Sequence, residues 1–285
     1  MGAEQQGDGF SPADIRKSLE GKINKSVIVP EYLSGKSRFA FSCYPGIKCF
    51  TKCCSGIRIF LSPYDIFRLR KRMGMTSQEF LEAYTIPMTV DGTPLQVAGL
   101  KMKSDEQRSC PFVTPEGCTV YSDRPLICRY YPVGMGFMKK FDRTSGEDFF
   151  IMIKEDHCLG HAEKKQWTVD EWRKDQESDL YDEMNHDWRE VVLKVKTLGQ
   201  VEFSARSLEL FYMVSTNLDL FARMAFSERF LNAYEMDPSL EERLRGDELE
   251  LLKFSLKWLR FTLFGEGDIK IRAGADGAAR PPQKG

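Results

Sequence analysis

Eight cysteines are the residues of this chain whose type and spacing could do chemistry. The segment FSCYPGIKCFTKCC, residues 41–54, places four of them within twelve residues and ends on an adjacent pair. Burial alone gives no reason for such clustering, whereas thiolates a few residues apart on a turn can converge on one metal ion. Cysteines farther along the chain can supply further ligands. The candidate ligands are Cys43, Cys49, Cys53, Cys54, Cys110, Cys118, Cys128 and Cys158.

Two features of these cysteines leave alternatives open. Adjacent side chains normally project in different directions, so Cys53 and Cys54 could serve two metal centres, or one could bind metal while the other is buried. A thiol redox relay is the main alternative to metal binding. It ranks below metal binding because the chain has no C-x-x-C motif beside a strand-helix unit.

The ligand type narrows the choice of metal. Soft sulfur ligands favour zinc, copper(I) or iron-sulfur chemistry and disfavour magnesium and calcium. Only the interval from Cys49 to Cys53 has the spacing of a typical zinc-binding pair, whereas iron-sulfur clusters take four thiolates at varied spacings. The chain has three histidines, and we interpret His157 and His161 as surface residues rather than ligands. The expected cofactor is zinc or iron, and an iron-sulfur cluster remains one form of the latter.

Basic and aromatic residues accompany the second group of cysteines in the segment CPFVTPEGCTVYSDRPLICRYYP. Arg124 and Arg129 could lower the pKa of nearby thiols and offset the negative charge of a multi-thiolate site. The structural alternative is that the arginines form salt bridges and the tyrosines pack in the core. The sequence does not decide between these roles.

Composition indicates an ordinary globular protein. The chain has 285 residues, 29% charged residues and a formal net charge of -1, so no basic surface for nucleic acid or for an anionic membrane is expected. The first residues are polar, without the apolar run of a signal peptide, and no stretch approaches the ~18 to 20 apolar residues of a membrane span. We therefore predict a cytoplasmic location.

Helix caps and alternating apolar residues predict the elements of the cysteine-rich part. A Ser-Pro start and a closing Gly predict helices over residues 11–21 and 62–74, and capping boxes predict helices that begin at Thr76 and Thr168. Strands are predicted at residues 37–42, 57–61 and 95–102, and a hairpin is predicted from residues 133–141 and 147–154. The lone G-x-G of Gly134 and Gly136 falls in this hairpin and does not indicate a nucleotide site.

From Thr168 onward the pattern is helical and has no cysteine. We predict helical stretches over residues 168–199, 207–234, 237–246 and 247–265, the second of them a buried helix, with their aromatic residues in the core. The predicted fold is α+β: a cysteine-rich module of short strands and capped helices around a thiolate metal site, followed by a mainly α-helical part. The predicted division is a disordered N-terminus (1–9), a cysteine-cluster metal-binding domain (10–165), a helical region (166–268) and a disordered tail (269–285).

The order of the motifs resembles a known family. The cysteine-rich loop that ends in Cys-Cys, the SPYD-type helix with Asp65 and Arg68, the Cys-Pro-Phe motif, the Arg124-Pro125 pair that leads to Cys128-Arg129, and the later Cys158-x-Gly motif resemble the YkgJ-type cysteine-cluster family. The resemblance covers roughly Arg38 to Trp172 and implies a zinc- or iron-chelating domain. Five and three residues separate the first three cysteines here, where the family usually has three and two. A partial resemblance to flagellin lysine methylases implies an enzyme as the alternative.

Three functions follow from these observations. The first is a cytoplasmic metal-binding protein that holds zinc or iron, or an iron-sulfur cluster, through its cysteines. The second is an adaptor in which the metal organises the N-terminal part and the helical C-terminal region docks a protein partner. The third is a cluster-containing enzyme such as a protein lysine methyltransferase. We assign no catalytic residue and favour the first, in a form that includes the second.

Overall fold

The computed structural model describes residues 26–138, 147–199 and 202–272. Its strands are Ser26–Leu33, Arg38–Ala40, Phe60–Leu61, Thr85–Thr89, Gln96–Leu100, Val113–Thr114, Gly117–Cys118, Val133–Met138, Glu147–Glu155 and Gln166–Thr168. Its α-helices are Pro63–Met73, Ser77–Tyr84, Leu126–Tyr130, Val169–Asp175, Ser178–Met184, His186–Leu198, Ala205–Thr216, Leu218–Ala225, Glu228–Ala233, Pro238–Gly246 and Glu248–Phe264. The predicted helix over residues 11–21 and both predicted disordered ends (1–9 and, from 273 on, the tail) lie outside the described residues.

The predicted α+β class is confirmed, with short strands in small sheets in the N-terminal half and a mainly helical C-terminal part. The chain forms two compact units, each built from two separate segments. The first comprises the described residues up to Ile57 together with Tyr130–Gln176, and the second comprises Arg58–Arg129 and the described residues from Glu177 onward. The predicted domain bounds at residues 165 and 166 stay a prediction.

The first unit is built on small antiparallel sheets. Glu147–Glu155 is the central strand of one sheet, with Ser26–Leu33 on one side and Val133–Met138 on the other. This pairing confirms the predicted hairpin, although its turn lies outside the described residues. Arg38–Ala40 pairs with Gln166–Thr168 in a second, two-stranded sheet. The strand that precedes the first cysteine loop is therefore held against the segment that follows Cys158.

Aromatic side chains fill the interior of the first unit. Phe41 is 2% exposed, and its ring meets the rings of Trp172 at 5.5 Å, Tyr131 at 6.0 Å and His161 at 5.3 Å, each edge-on. Edge-to-face pairs at these distances stabilise a core beyond the area that they bury. The indole Nε1 of Trp167 also donates to the Phe41 carbonyl at 2.9 Å. Phe41, which directly precedes the cysteine loop, is thus fixed on several sides.

The second unit has a large helical core. Its fully buried side chains include Tyr181, Phe211, Phe221 and Leu259, and the ring of Trp258 lies 5.6 Å from that of Phe221. These aromatic residues are core residues, as the sequence predicted. The unit also holds a three-stranded antiparallel sheet, in which Gln96–Leu100 lies between Phe60–Leu61 and Thr85–Thr89.

The capping motifs form as predicted. Ser62 and Asp65 form a reciprocal capping box at the start of Pro63–Met73, which ends at Gly74 with a φ of 65°. Thr76 and Thr168 form the same kind of box with acids three residues later. Each box satisfies backbone N–H groups that a helix start would otherwise leave unpaired.

The long helical stretches are wrong as continuous helices. Residues 168–199 break at Glu177, whose φ of 56° is left-handed, and again at Asn185. The helical stretch over residues 207–234 is interrupted twice. At Asn217 the side chain accepts a hydrogen bond from Leu220 N at 3.0 Å, and at Ser227 the side chain caps the next helix. At Asn217 and Ser227 a polar side chain bonds to the backbone at the start of the next helix, while the apolar pattern continues across each break.

Within the part of the chain that the structure describes, every helix falls short of the length and apolar character required to span a membrane.

Asp65 carries a perturbed carboxyl group at a helix start. Its carboxylate accepts hydrogen bonds from the backbone N–H groups of Ser62 and Leu126, both at 2.8 Å. Burial nevertheless raises its pKa from 3.8 to about 6, although the bonds from Ser62 and Leu126 and the charge of Arg129 lower it. A folded-state pKa above the unfolded value means that folding favours the protonated form.

The pH dependence of stability should reveal this group. The folded protein binds more protons than the unfolded chain between about pH 4 and 6, so Asp65 contributes stability that is lost as the pH rises through this window. Relative to Asp65→Asn, which does not titrate, we expect the unfolding free energy of the wild type to fall by roughly 2 kcal/mol between pH 4 and pH 7. Chemical denaturation followed by circular dichroism measures the difference, and a difference that is constant with pH would contradict the assignment.

Candidate metal centre

A chain of tight turns holds the first four cysteines. Backbone hydrogen bonds run from Ile47 N to the Tyr44 carbonyl, from Phe50 N to the Ile47 carbonyl and from Cys54 N to the Thr51 carbonyl, at 3.3, 2.8 and 2.9 Å. A short 3₁₀ turn at Lys52–Cys54 ends this loop. Three-residue steps of this kind keep the backbone compact, so thiols several residues apart in sequence stay close in space.

A second segment brings Cys158 to this loop. Cys158 follows the central strand of the first sheet, and its N–H bonds to the Glu155 carbonyl at 2.8 Å. The Ser42 N–H donates to the Gly160 carbonyl at 3.1 Å, and the Leu159 N–H donates to the sulfur of Cys49 at 3.3 Å. These bonds place the Cys158 segment directly against the loop.

Gly160 permits this approach because it has no side chain. A Cβ atom at this position would lie 2.6 Å from the Phe41 ring and 2.8 Å from the Ser42 carbonyl oxygen. The oxygen belongs to the backbone and cannot swing aside. The glycine of the Cys158-x-Gly motif is therefore required by packing between two segments.

Four thiols of the first unit act on one another. The pKa of Cys43 is raised to about 11. Burial is the largest cause, and the nearby thiols of Cys53, Cys49 and Cys158 add to it. Burial also raises the pKa of Cys158, and Cys49 and Cys53 add to this effect. Cys49 is buried, Cys53 and Cys158 are half-buried, and Cys43 is exposed. We call these four residues the first thiol set.

The adjacent pair behaves differently from the expectation. The thiol of Cys54 lies close enough to Cys53 to interact with it, and this interaction is the largest of the effects that raise the pKa of Cys53. The two thiols are therefore close to each other, although adjacent residues of a 3₁₀ turn point in different directions. Cys54 is half-buried beside the first thiol set.

Two polar side chains that the sequence did not single out, Glu155 and Tyr131, border the first thiol set. Glu155 acts on Cys53, and the Tyr131 hydroxyl faces both Cys158 and Glu155. His157 Nε2 lies 3.4 Å from Glu155 Oε2. His161 was expected at the surface but is partly buried, with its Nε2 3.1 Å from the Ile153 carbonyl oxygen. No pattern of spacing marks these residues, since their proximity to the thiols arises from the fold.

The second unit holds the other three cysteines, which we call the second thiol set: Cys110, Cys118 and Cys128. Cys118 pairs with Val113 in a short hairpin. Burial raises the pKa of Cys110, and Cys118 adds to it, while backbone N–H groups and Lys103 lower it. Burial likewise raises the pKa of Cys118, and the Val120 N–H and Arg124 lower it.

The two arginines near this set have different roles. Arg124 is buried, stacks on the Tyr121 ring at 3.9 Å, and interacts with both Cys118 and Cys128. It is thus a cationic neighbour of the thiols. Arg129 is 1% exposed and donates to the carbonyls of Ser122 and Arg124 and to the Tyr181 hydroxyl. Arg129 thus has a structural role, one of the two roles between which the sequence did not decide.

Charge compensation separates the two thiol sets. The second set has Lys103 and Arg124 beside it, and these cations partly offset the rise in pKa that burial causes at Cys110 and Cys118. The electrostatic partners that raise the pKa values of Cys43, Cys53 and Cys158 are thiols and the carboxyl of Glu155, all of which are neutral or negative. Several ionised thiols in such surroundings require a cation.

The donor chemistry of the first thiol set fits a thiophilic metal, because four sulfur donors suit both zinc and an iron-sulfur cluster. Among the described residues, no three Cys, His, Asp or Glu side chains converge closely enough to coordinate one ion as they stand. Cysteine side chains move by rotation about a single bond, and Cys43 is exposed on its loop. Metal binding would therefore require a local closure of the thiols.

Comparison with known proteins identifies the cysteine-bearing segment. Residues 42–160 match the model of the family CxxCxxCC, described as "Putative zinc- or iron-chelating domain". This match confirms, for that segment, the resemblance to the YkgJ-type cysteine-cluster family and supports metal binding in general. The resemblance to flagellin lysine methylases stays a prediction. Searches of the curated proteins and of the solved structures found no match to the chain.

Gly160 offers a test of how the first thiol set is held together. In Gly160→Ala the new methyl group meets a backbone oxygen, so the Cys158 segment must move away from Ser42. We expect a loss of about 1 to 3 kcal/mol in unfolding free energy, typical of overpacking. Gly246→Ala is the matched control, since a Cβ there meets nothing within 4 Å. Equal stability of the two variants would show that the close approach is not needed.

Cys43 offers a test of the electrostatics. In the metal-free, reduced protein its pKa of about 11 keeps an exposed thiol protonated at neutral pH. The rate of alkylation of Cys43 by iodoacetamide, followed by peptide mass spectrometry, should still rise steeply up to pH 10. An unperturbed thiol, with a pKa of about 8.5, levels off near pH 9 to 10. Replacement of its strongest thiol neighbour in Cys53→Ser should shift the profile to lower pH, and an unchanged profile in this variant would contradict the proximity of the two thiols.

Proposed function

We propose that this protein binds zinc or iron through the thiolates of Cys43, Cys49, Cys53 and Cys158. The observation that carries the proposal is that two chain segments bring these four thiols close to one another. Two backbone bonds support their arrangement, from Ser42 N to the Gly160 carbonyl and from Leu159 N to the Cys49 sulfur. Ionisation of these thiols is unfavourable unless a cation sits among them.

The energetic argument favours metal over free thiols. Burial and thiol neighbours raise the pKa of Cys43, Cys53 and Cys158, so deprotonation without a counter-charge is unfavourable. A bound metal ion reverses this effect, because a coordinated thiol is deprotonated outright. Metal binding releases these protons, and its free energy adds to the stability of the first unit.

The same four sulfurs serve either metal. A tetrahedral zinc site takes four thiolates and stabilises a fold without redox chemistry. An iron-sulfur cluster also takes four cysteines, and its reduction potential depends on the hydrogen bonds to sulfur and on solvent exposure. The N–H of Leu159 on Cys49 is one such bond.

The remaining sequence-based assignments extend this proposal. Cys54 lies beside the first thiol set as a further donor, while Cys110, Cys118 and Cys128 stay predicted ligands whose charge Lys103 and Arg124 already offset in part. The cytoplasmic location, the adaptor role with a protein partner, and the alternative of a protein lysine methyltransferase stay predictions.

Metal analysis of variants tests the proposal. Protein purified without oxygen or chelator should contain stoichiometric zinc. Alternatively, it should contain iron together with acid-labile sulfide and an absorption band at about 400 nm. Cys53→Ser should lower the metal content or affinity by roughly tenfold or more, because it removes a ligand of the first thiol set. Cys110→Ser is the matched variant in the second set and should retain metal.

The outcomes separate the alternatives. Wild-type protein that takes up neither metal, or a folded Cys53→Ser that keeps full metal content and affinity, would overturn the proposal. Loss of metal in both variants would mean that the second thiol set also contributes ligands, as the sequence alone predicted. Circular dichroism of each variant verifies that it is folded.

A further inference from the structure

The hydroxyl group of Tyr131 is buried without a standard hydrogen bond. It makes no bond of regular geometry to any residue that the structure describes, although the atom is inaccessible to solvent. Native proteins rarely leave a buried hydroxyl in this state, and each exception calls for an explanation. The ring is held in place, since it packs edge-on against Phe41 at 6.0 Å.

The hydroxyl faces the first thiol set. The groups that act on it are Cys158 and Glu155, which together with burial raise the pKa of Tyr131. The Tyr131 ring packs on Phe41, which in turn packs against Gly160 of the Cys158 segment, so the hydroxyl lies beside this thiol. A neutral thiol is a weak acceptor, whereas a thiolate accepts strongly. The donor is therefore in position before its best acceptor exists.

We propose that Tyr131 is a positioning residue of the metal centre, and that its hydroxyl donates a hydrogen bond to the thiolate of Cys158 when metal is bound. This inference rests on the proposed function. Leu159 N–H, which already donates to Cys49 at 3.3 Å, gives a second sulfur the same kind of support. Outer partners of this kind orient metal ligands and tune the electron density on them.

The structure offers a closely matched pair of variants. Tyr131→Phe keeps the ring and removes only the hydroxyl. Tyr130→Phe makes the same change at the neighbouring residue, where the hydroxyl interacts with Met135 and Arg173 instead of with a thiol. Both variants lie in the first unit, so a general effect of losing a tyrosine hydroxyl there should appear in both.

Zinc(II) and cobalt(II) titrations of the metal-free protein measure the effect. We expect Tyr131→Phe to bind zinc about 10- to 100-fold more weakly than the wild type, in competition with a chromogenic chelator. The thiolate-to-cobalt absorption band should move to longer wavelength, because the sulfur loses a donor that stabilised its lone pairs. Tyr130→Phe should match the wild type in both. The metal-free Tyr131→Phe protein should melt no lower than the wild type, since it no longer buries an unpaired hydroxyl.

The outcomes distinguish this inference from the proposed function. Wild-type protein that binds neither zinc nor cobalt would overturn both. Wild-type protein that binds, with Tyr131→Phe equal to it in affinity and in the cobalt band, would overturn the role of Tyr131 and leave metal binding intact. A structure of the zinc-loaded wild type provides a check that needs no variant: Tyr131 Oη should lie within hydrogen-bond distance of Cys158 Sγ, and a bond to Glu155 alone would contradict the inference.

Discussion

The backbone contact between Ser42 and Gly160 is the constraint on which the thiol arrangement of the first unit depends. It joins the end of one short strand to the segment that follows Cys158, and the Phe41 ring packs against Gly160. Aromatic packing around Phe41 fixes one side of the contact, and the turn after the central strand fixes the other. Thiols that are more than 100 residues apart in sequence become neighbours through this contact.

Charge then gives the two thiol sets different characters. The second set lies beside Lys103 and Arg124, whose positive charges partly offset the negative charge of ionised thiols. The first set lies among further thiols and a carboxyl group, and the pKa values of Cys43 and Cys53 are raised. A cation that binds tightly to sulfur stabilises the ionised form of these thiols. The description of the domain family, zinc- or iron-chelating, can thus be connected with particular residues.

Features that neighbouring residues determine could be predicted from the sequence. Features that depend on contacts between distant segments could not. The boxes at Ser62, Thr76 and Thr168 could be predicted because cap and partner lie three residues apart. The breaks at Asn185 and Asn217 could not, since apolar residues continue on both sides. The clustering of the first cysteines was visible from spacing, whereas the proximity of Cys158, Glu155 and Tyr131 comes only from the pairing of distant segments.

Because the first unit consists of two chain segments, its cysteines are synthesised at different times. Residues 43–54 leave the ribosome about 100 residues before Cys158, an interval of roughly 5 to 20 s at ordinary rates of synthesis. During that interval the unit cannot close, because the segment Tyr130–Gln176 does not yet exist. Any metal centre that includes Cys158 can therefore be completed only after the second segment has been synthesised, and its first cysteines must remain reduced until then.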